Sequence, residues 1–157
     1  MKLSSLEEYG LRCLLQLART SLNESRTIEE ISHAEGITPP NVAKIMRIMR
    51  RGGFVESVRG QNGGYTLALT AQEIIIGDVL EVLGGRLYDQ NFCDHFVGSE
   101  DSCLHESSHC SIRSLWNRVQ SAVDDVLRET TLADLTHAPS QKETVYSPGM
   151  IGISDVI

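Results

Sequence analysis

The stretch ITPPNVAKIMRIMRRGGFVESVRGQNGGYTLAL, residues 37–69, joins a helix pattern to a strand pattern. Thr38 is a candidate N-cap, Pro39 suits the first helical position, and apolar residues recur at helical spacing up to Gly52 and Gly53. The runs FVESVRG and YTLAL are rich in β-forming residues, and QNGG between them is typical of a turn. The stretch therefore predicts a helix followed directly by a β-hairpin.

A second helix pattern lies immediately upstream, in TIEEISHAEG at residues 27–36. Thr27 is a candidate N-cap, Glu30 completes a capping box, and Gly36 ends the pattern. Two helices separated by a short glycine-containing turn are typical of a helix-turn-helix, whose second helix enters the major groove of DNA. A charged, solvated helix would give the same pattern, but a hairpin placed directly afterwards is typical of a wing and favours DNA binding.

The exposed side of the second helix and the tip of the hairpin carry the candidate DNA contacts. An arginine on a wing tip suits a narrow minor groove, where the potential is most negative. The glycines at the tip would allow close approach to a partner, although a tight turn alone would also require them. The predicted DNA-binding residues are Thr38, Asn41, Lys44, Arg47, Arg51, Arg59 and Gln61.

The charge distribution agrees with a local DNA-binding face. The 157-residue chain has a formal net charge of −7. Residues 1–70 carry nine basic and seven acidic residues, a net charge of +2, so the acidity lies in the remainder. The chain has neither an apolar run long enough to span a membrane nor a signal-peptide pattern, which predicts a cytoplasmic protein. No nucleotide-binding loop or oriented catalytic cysteine is present, so we do not expect an enzyme.

The stretch NFCDHFVGSEDSCLHESSHCS, residues 91–111, holds three of the four cysteines: Cys93, Cys103 and Cys110. In a reducing compartment, clustered cysteines favour a metal site or a redox switch. Three thiolates with His105 or His109 would complete a zinc site, yet the spacing C-x₉-C-x₆-C is not that of a zinc ribbon. Long spacers suit an iron–sulfur cluster, and a regulatory disulfide is the third alternative. The fourth cysteine, Cys13, lies on the apolar stripe of a first helix over residues 5–19 and is expected to be buried and inert.

Apolar residues recur at helical spacing over about four turns after the cysteine loop, and this seam comprises Ile112, Leu115, Trp116, Val119, Ala122, Val123 and Val126. Its length and position favour packing on a second copy of the chain. Such a homodimer would place two recognition helices about 34 Å apart on a palindromic operator in double-stranded DNA. A further buried helix is expected over residues 73–83.

The motifs EYGLRCLLQLA, VRGQNGGYTLAL and IIIGDVLEVLGG resemble those of the Rrf-type family of bacterial winged-helix regulators that includes IscR, NsrR and CymR. The resemblance covers about residues 1–130. It implies a dimeric transcription regulator in which the three loop cysteines bind an iron–sulfur cluster, [4Fe–4S] in preference to [2Fe–2S]. It also implies a fourth ligand from the partner subunit at Glu8, with Glu7 as the alternative acid. The loop itself offers local candidates for the same position in His95, His105 and His109. Arg113 stands where some relatives have a histidine ligand, and it cannot ligate iron.

Together these patterns predict a mostly α-helical protein with a small β-wing. We expect a winged helix-turn-helix domain at 1–84, a cysteine-rich loop at 85–110, a dimerisation helix at 111–132 and a flexible tail at 133–157. The expected function is a DNA-binding transcription regulator that senses redox state, nitric oxide or iron status through its cluster. The alternatives are a regulator with a structural zinc or a thiol–disulfide switch in the same loop, and an iron–sulfur carrier, which would not need the basic helix and wing.

Overall fold

The computed structural model describes residues 4–20, 24–60, 63–85 and 110–136. These ranges form six helices and one two-stranded antiparallel sheet. The elements are α1 (Ser5–Ala18), α2 (Ile28–Glu35), α3 (Pro39–Arg51), β1 (Val55–Val58), β2 (Gly64–Leu67), α4 (Ile76–Leu83), α5 (Ser111–Glu129) and α6 (Leu132–Thr136). The predicted fold class, mostly helical with a small β-wing, is confirmed.

Local capping defines where the first helices begin. At α2 the backbone N–H of Thr27 donates to Glu30 at 2.8 Å, and the backbone N–H of Glu30 donates to the Thr27 hydroxyl at 3.1 Å. Ser4 and Glu7 form the same reciprocal pair at α1. These bonds satisfy N–H groups that a helix start leaves without partners. The hydrogen bonds that Thr27 donates to the carboxylate of Glu30 lower the pKa of Glu30.

The core lies between α1, α2, α3 and α4. Leu14, Ile31, Ile45 and Met46 are at most 1% exposed. Burial of each such side chain contributes roughly 1.5–3 kcal/mol before the entropic costs of folding. Gly10 lets α1 approach α4 closely, since a Cβ there would overlap the side chain of Leu83.

Helix α4 starts later than its sequence pattern suggested. The sequence predicted a helix over residues 73–83, whereas α4 begins at Ile76. The Glu73 carboxylate accepts hydrogen bonds from the Thr70 backbone N–H at 2.9 Å and from the Thr70 hydroxyl at 2.7 Å. The turn includes Glu73, and Ile75 is paired with Thr131 in an isolated β-bridge, so the helix begins only at Ile76.

The short helix α6 was not predicted from the sequence. Leu132 is fully buried, and its backbone N–H donates to the carbonyl of Ile74 at 2.8 Å. The backbone N–H of Ala133 donates to the carbonyl of Ala71 at 3.0 Å. These two bonds fasten the end of the described chain to the segment that leads into α4. Within the described ranges, no helix combines the length and apolar character needed to cross a membrane.

Candidate DNA-binding surface and cysteine site

The recognition-helix candidate α3 separates cleanly into a buried and an exposed face. Val42, Ile45, Met46 and Met49 are at most 1% exposed and fix the helix on the core. The opposite face presents the exposed side chains of Asn41, Lys44, Arg47 and Arg51, as the sequence predicted, and Thr38 is exposed at the N-cap. Lys44, Arg47 and Arg51 are three or four positions apart, so they share one face, with Asn41 at its edge, and can contact one ligand surface.

The wing extends from the end of α3. Its strands pair antiparallel from Val55 with Leu67 to Val58 with Gly64. Arg59 follows β1 directly and is exposed, and the turn is closed by a bond from the Gly63 N–H to the Gly60 carbonyl at 3.0 Å. Gln61, the other predicted wing contact, lies outside the described residues.

The two acids near the start of α1 have different environments. Glu7 is 7% exposed, takes part in the capping box, and lies so close to Gly84 that a Cβ there would come within 2.6 Å of its carboxylate. The side chain of Glu8 is 48% exposed, and its carboxylate accepts a bond from Arg12 Nε at 2.8 Å. Glu7 is therefore held by the fold, whereas Glu8 can be reached from outside the chain.

Arg12 connects Glu8 to the helix-turn-helix. Its guanidinium also lies 3.5 Å from the carboxylate of Glu35, the last residue of α2, and Gln16 donates to the same carboxylate. The hydrogen bond and charge of Glu8, with a smaller contribution from Glu35, raise the pKa of Arg12. The spacing of Glu8 and Arg12 is a recognisable i, i+4 ion pair, but nothing in the sequence connects either residue to Glu35.

Cys110 is the loop cysteine that the structure describes. It is the N-cap of α5, half-buried, and its Sγ accepts a hydrogen bond from the backbone N–H of Arg113 at 3.4 Å. Its thiol is free. The sulfur of Cys110 therefore lies at the N-terminus of α5.

The remaining predicted ligands, Cys93, Cys103, His105 and His109, lie outside the described residues, as does His95. Within the described ranges, no three His, Cys, Asp or Glu side chains come together as a metal site. Cys13 is fully buried, and burial followed by the charge of Glu35 raises its pKa to about 12.

An apolar groove of about 690 Å³ lies between α1 and the C-terminal half of α5, with α4 as its floor. We call it the α1–α5 groove. Its apolar lining includes Leu11, Ile76, Leu80, Val123, Leu127 and Leu135. Its acidic lining includes Glu8, Asp78, Glu81 and Asp124, and Arg128 lies 3.8 Å from Asp124 in the same wall. The sequence analysis did not anticipate this groove, since it requires three distant segments to pack together.

The N-terminal half of α5 exposes much of the predicted apolar seam. Ile112 is 51% exposed, Leu115 54% and Trp116 41%. Residues 110–120 also carry two arginines, Arg113 and Arg118, and no acid. A cluster of three large apolar side chains at such exposure is characteristic of an interaction surface.

The chain matches the family Rrf2, described as an iron-dependent transcriptional regulator, over residues 3–138. It is 33% identical over 135 residues to Protein rrf2 of Nitratidesulfovibrio vulgaris, covering 86% of this chain and 87% of that protein. It is also 33% identical over 135 residues to the HTH-type transcriptional regulator NsrR of Bacillus licheniformis, covering 86% and 92%. The crystal structure of the oxidized form of Staphylococcus aureus CymR superposes with a TM-score of 0.69 at 28% identity, covering 89% of this chain and 99% of that one.

Proposed function

The chain belongs to the Rrf2 family of transcriptional regulators, and on that premise we propose that it is a homodimeric regulator controlled by an iron–sulfur cluster. Membership confirms the resemblance noted in the sequence and makes the protein a winged-helix DNA-binding regulator, not an enzyme or an iron–sulfur carrier. The observation that carries the cluster proposal is the position of Glu8, an accessible carboxylate on the wall of an apolar groove.

A second copy of the chain is the proposed occupant of the α1–α5 groove. The groove offers an apolar lining and an acidic wall, while the N-terminal half of α5 offers exposed apolar residues and the exposed Arg118. Apolar burial would drive the association, and opposite charges would set its orientation. Two such contacts related by a two-fold axis form a closed dimer.

This dimer brings Glu8 of one chain towards Cys110 of the other. Glu8 lines the groove beside Gln120 and Asp124 of its own α5. Gln120 follows Cys110 by ten residues, which is about 15 Å along a helix that rises about 1.5 Å per residue. Cys110 is therefore separated from the Glu8 of its own chain by about half the length of α5. When the N-terminal half of α5 binds in the groove of the partner subunit, Cys110 comes close to the Glu8 of that partner subunit.

The proposed ligand set is Cys93, Cys103 and Cys110 with Glu8 of the partner subunit. Cys110 at a helix N-terminus and Glu8 in an accessible position both fit a cluster held by three thiolates and one oxygen. When bound, such a cluster, [4Fe–4S] in preference to [2Fe–2S], would react with oxygen or nitric oxide, and it would be lost when iron is scarce. His105 and His109 are the alternative fourth ligands, whereas Glu7 is already held by its own helix cap.

Ligation by Glu8 changes the partners of Arg12. A Glu8 carboxylate bound to iron would be a weaker acceptor for Arg12 Nε, and Arg12 would then pair mainly with Glu35 at the end of α2. Glu8 is thus connected through Arg12 to Glu35, the residue that precedes the turn between the two DNA-binding helices. This gives the chain a physical connection by which the state of the cysteine site can bias the operator-binding form.

On DNA, we propose that the dimer reads a palindromic operator with two copies of α3 in successive major grooves, about 34 Å apart. Asn41 and Thr38 lie where base or backbone contacts form, and Lys44, Arg47 and Arg51 neutralise phosphates. Arg59 and Gln61 of the wing reach the adjacent minor groove. The protein would act in the cytoplasm, where bacterial DNA lies.

A second candidate is a thiol switch in the same loop. It is favoured by the likeness to Staphylococcus aureus CymR, whose structure was solved in an oxidized form. In that case Cys103 and Cys110 would form the regulatory disulfide. A closed zinc site made by the same cysteines with a histidine is the remaining alternative.

A mixed dimer tests the cluster and its shared ligand together. Glu8→Ala and Cys110→Ser chains with different affinity tags are co-expressed and purified without oxygen, and the mixed dimer is isolated with both tags. Each homodimer lacks a ligand at both sites. The mixed dimer has one intact site only if Glu8 ligates across the dimer. We expect visible absorbance and iron content at about half the wild-type value, and no recovery would rule out a shared ligand.

The wild-type chain paired with Glu8→Ala provides the matched control, because it also retains one intact site. If Glu8→Ala homodimers keep the full wild-type iron content, Glu8 is not a ligand. The histidines then become the candidates for the fourth position.

A further inference from the structure

The strand β2 has a second hydrogen-bonded neighbour besides β1. Tyr65 is paired with Ser57 across the hairpin, but its own backbone N–H donates to the carbonyl of Arg26 at 2.8 Å. The backbone N–H of Arg26 donates in return to the carbonyl of Tyr65 at 2.9 Å. One residue of the α1–α2 connection therefore acts as a third strand of the wing.

This bridge joins the wing to the start of the helix-turn-helix. Arg26 directly precedes Thr27, the N-cap of α2. Its side chain donates from Nε to the hydroxyl of Thr20 at 3.2 Å, which connects the same residue to the end of α1. An isolated two-stranded hairpin is marginally stable in water, so a fixed wing needs such an attachment to the body of the domain.

Gly64 makes the bridge possible. A Cβ at this position would lie 2.5 Å from the carbonyl oxygen of Arg26, 2.7 Å from its carbonyl carbon and 3.1 Å from the N of Thr27. These are backbone atoms, which cannot rotate away as the end of a side chain can. The sequence analysis assigned the tip glycines to close approach of a partner, and for Gly64 the close neighbour is Arg26 of the same chain.

We propose that Gly64 and the backbone of Arg26 are positioning residues for DNA binding, which hold the wing at a fixed angle to α3. Gly64 is paired with Val58, and Val58 is followed directly by Arg59. With a Cβ at residue 64, β2 and the backbone of Arg26 would have to move apart by about 1 Å to restore an ordinary contact distance. This movement would occur next to the residues that carry the wing tip. The proposal rests on the DNA contact of Arg59 stated above.

A double-variant cycle on the full-length protein tests the proposal. The wild type, Arg59→Ala, Gly64→Ala and the double variant are titrated against one operator, selected from random double-stranded DNA, by fluorescence anisotropy. Arg59→Ala should weaken wild-type binding by at least about tenfold, because the dimer loses one arginine contact in each subunit. Gly64→Ala should weaken binding by a similar factor, and adding Arg59→Ala to it should change little, because the displaced arginine no longer reaches the DNA.

Ser57→Ala serves as the matched control, since it removes an exposed hydroxyl from β1 and leaves the backbone pairing intact. If Arg59→Ala weakens the wild type and the Gly64→Ala background equally, Gly64 does not position the wing and the inference is wrong, while the wing contact stands. If Arg59→Ala leaves wild-type affinity unchanged, the wing contact itself is wrong and the inference fails with it.

If Gly64→Ala fails to fold, hydrogen exchange on the wild-type protein tests whether the pairing of Tyr65 with Arg26 is maintained in solution. The Tyr65 amide points away from β1 because it bonds to Arg26. It should exchange as slowly as the amides within β2 that face β1. Rapid exchange of the Tyr65 amide would show that the bridge is not maintained in solution, which overturns the proposal.

Discussion

Replacing Cys110 by serine and by alanine separates its two proposed roles. Its sulfur accepts the N-cap hydrogen bond of α5 from the Arg113 N–H at 3.4 Å, and the same sulfur is a proposed cluster ligand. Serine keeps a capping oxygen but is a poor ligand for iron, whereas alanine removes both functions. Both variants should therefore lose the visible absorbance of protein purified without oxygen.

Only the alanine variant should lose stability when both are compared as metal-free protein. Losing an oxygen N-cap costs about 1 kcal/mol per chain, so Cys110→Ala should melt about 2 to 4 °C below Cys110→Ser. Sulfur is a weaker acceptor than oxygen, so Cys110→Ser should melt at or slightly above the metal-free wild type. The measurement is thermal unfolding followed by circular dichroism after chelator treatment.

Two outcomes would refute this reasoning, one for each role. A serine variant that retains full iron and sulfide content would remove Cys110 from the ligand set. Equal melting temperatures for metal-free Cys110→Ser and Cys110→Ala would show that the cap adds nothing measurable to α5. The two results are independent, so either role can fail without the other.

Three further predictions concern DNA binding, assembly and thiol reactivity. Lys44→Ala removes one phosphate contact per subunit, so the slope of log affinity against log salt concentration should become shallower by about 1.8 per dimer. An unchanged slope in anisotropy titrations would exclude that contact. Leu115→Glu places a charge in the exposed seam of α5 and should yield monomers in light scattering, while Ser121→Glu on another face should remain dimeric; a dimeric Leu115→Glu would place the interface elsewhere. Cys13, with its pKa raised to about 12, should stay protonated and resist iodoacetamide at about pH 8 in native protein, and rapid alkylation of the native protein would contradict its burial. The contribution of the buried thiol to stability should be lost only as the pH rises from the pKa of the unfolded state towards 12.

The elements set by short-range signals were predictable from the sequence. The capping box of Thr27 and Glu30, the proline at the start of α3 and the glycine-rich turn each act within a few residues, and the structure contains all three. The exposed face of α3 follows from helical periodicity for the same reason. Local chemistry is sufficient where both partners of an interaction lie in one sequence window.

The parts that the sequence did not reveal depend on contacts between distant segments. The pairing of Arg26 with Tyr65, the ion pair of Arg12 with Glu35 and the burial of Leu132 each join residues that no local pattern relates. The later start of α4 has the same cause, because Ile75 is paired with Thr131 in an isolated β-bridge. Of the proposed ligand set, the structure places Glu8 and Cys110, and the sequence prediction for Cys93 and Cys103 stays a prediction.

The absorption spectrum of the protein purified without oxygen, with iron and acid-labile sulfide assays on the same sample, tests the central claim most directly. The account predicts a brown dimer with a broad visible band and with iron and sulfide in near-equal amounts. Brief exposure to air or nitric oxide should change both the spectrum and the affinity for the selected operator. A colourless protein that contains zinc or no metal, and whose operator affinity is unaffected by these treatments, would contradict cluster sensing and leave only the DNA-binding regulator.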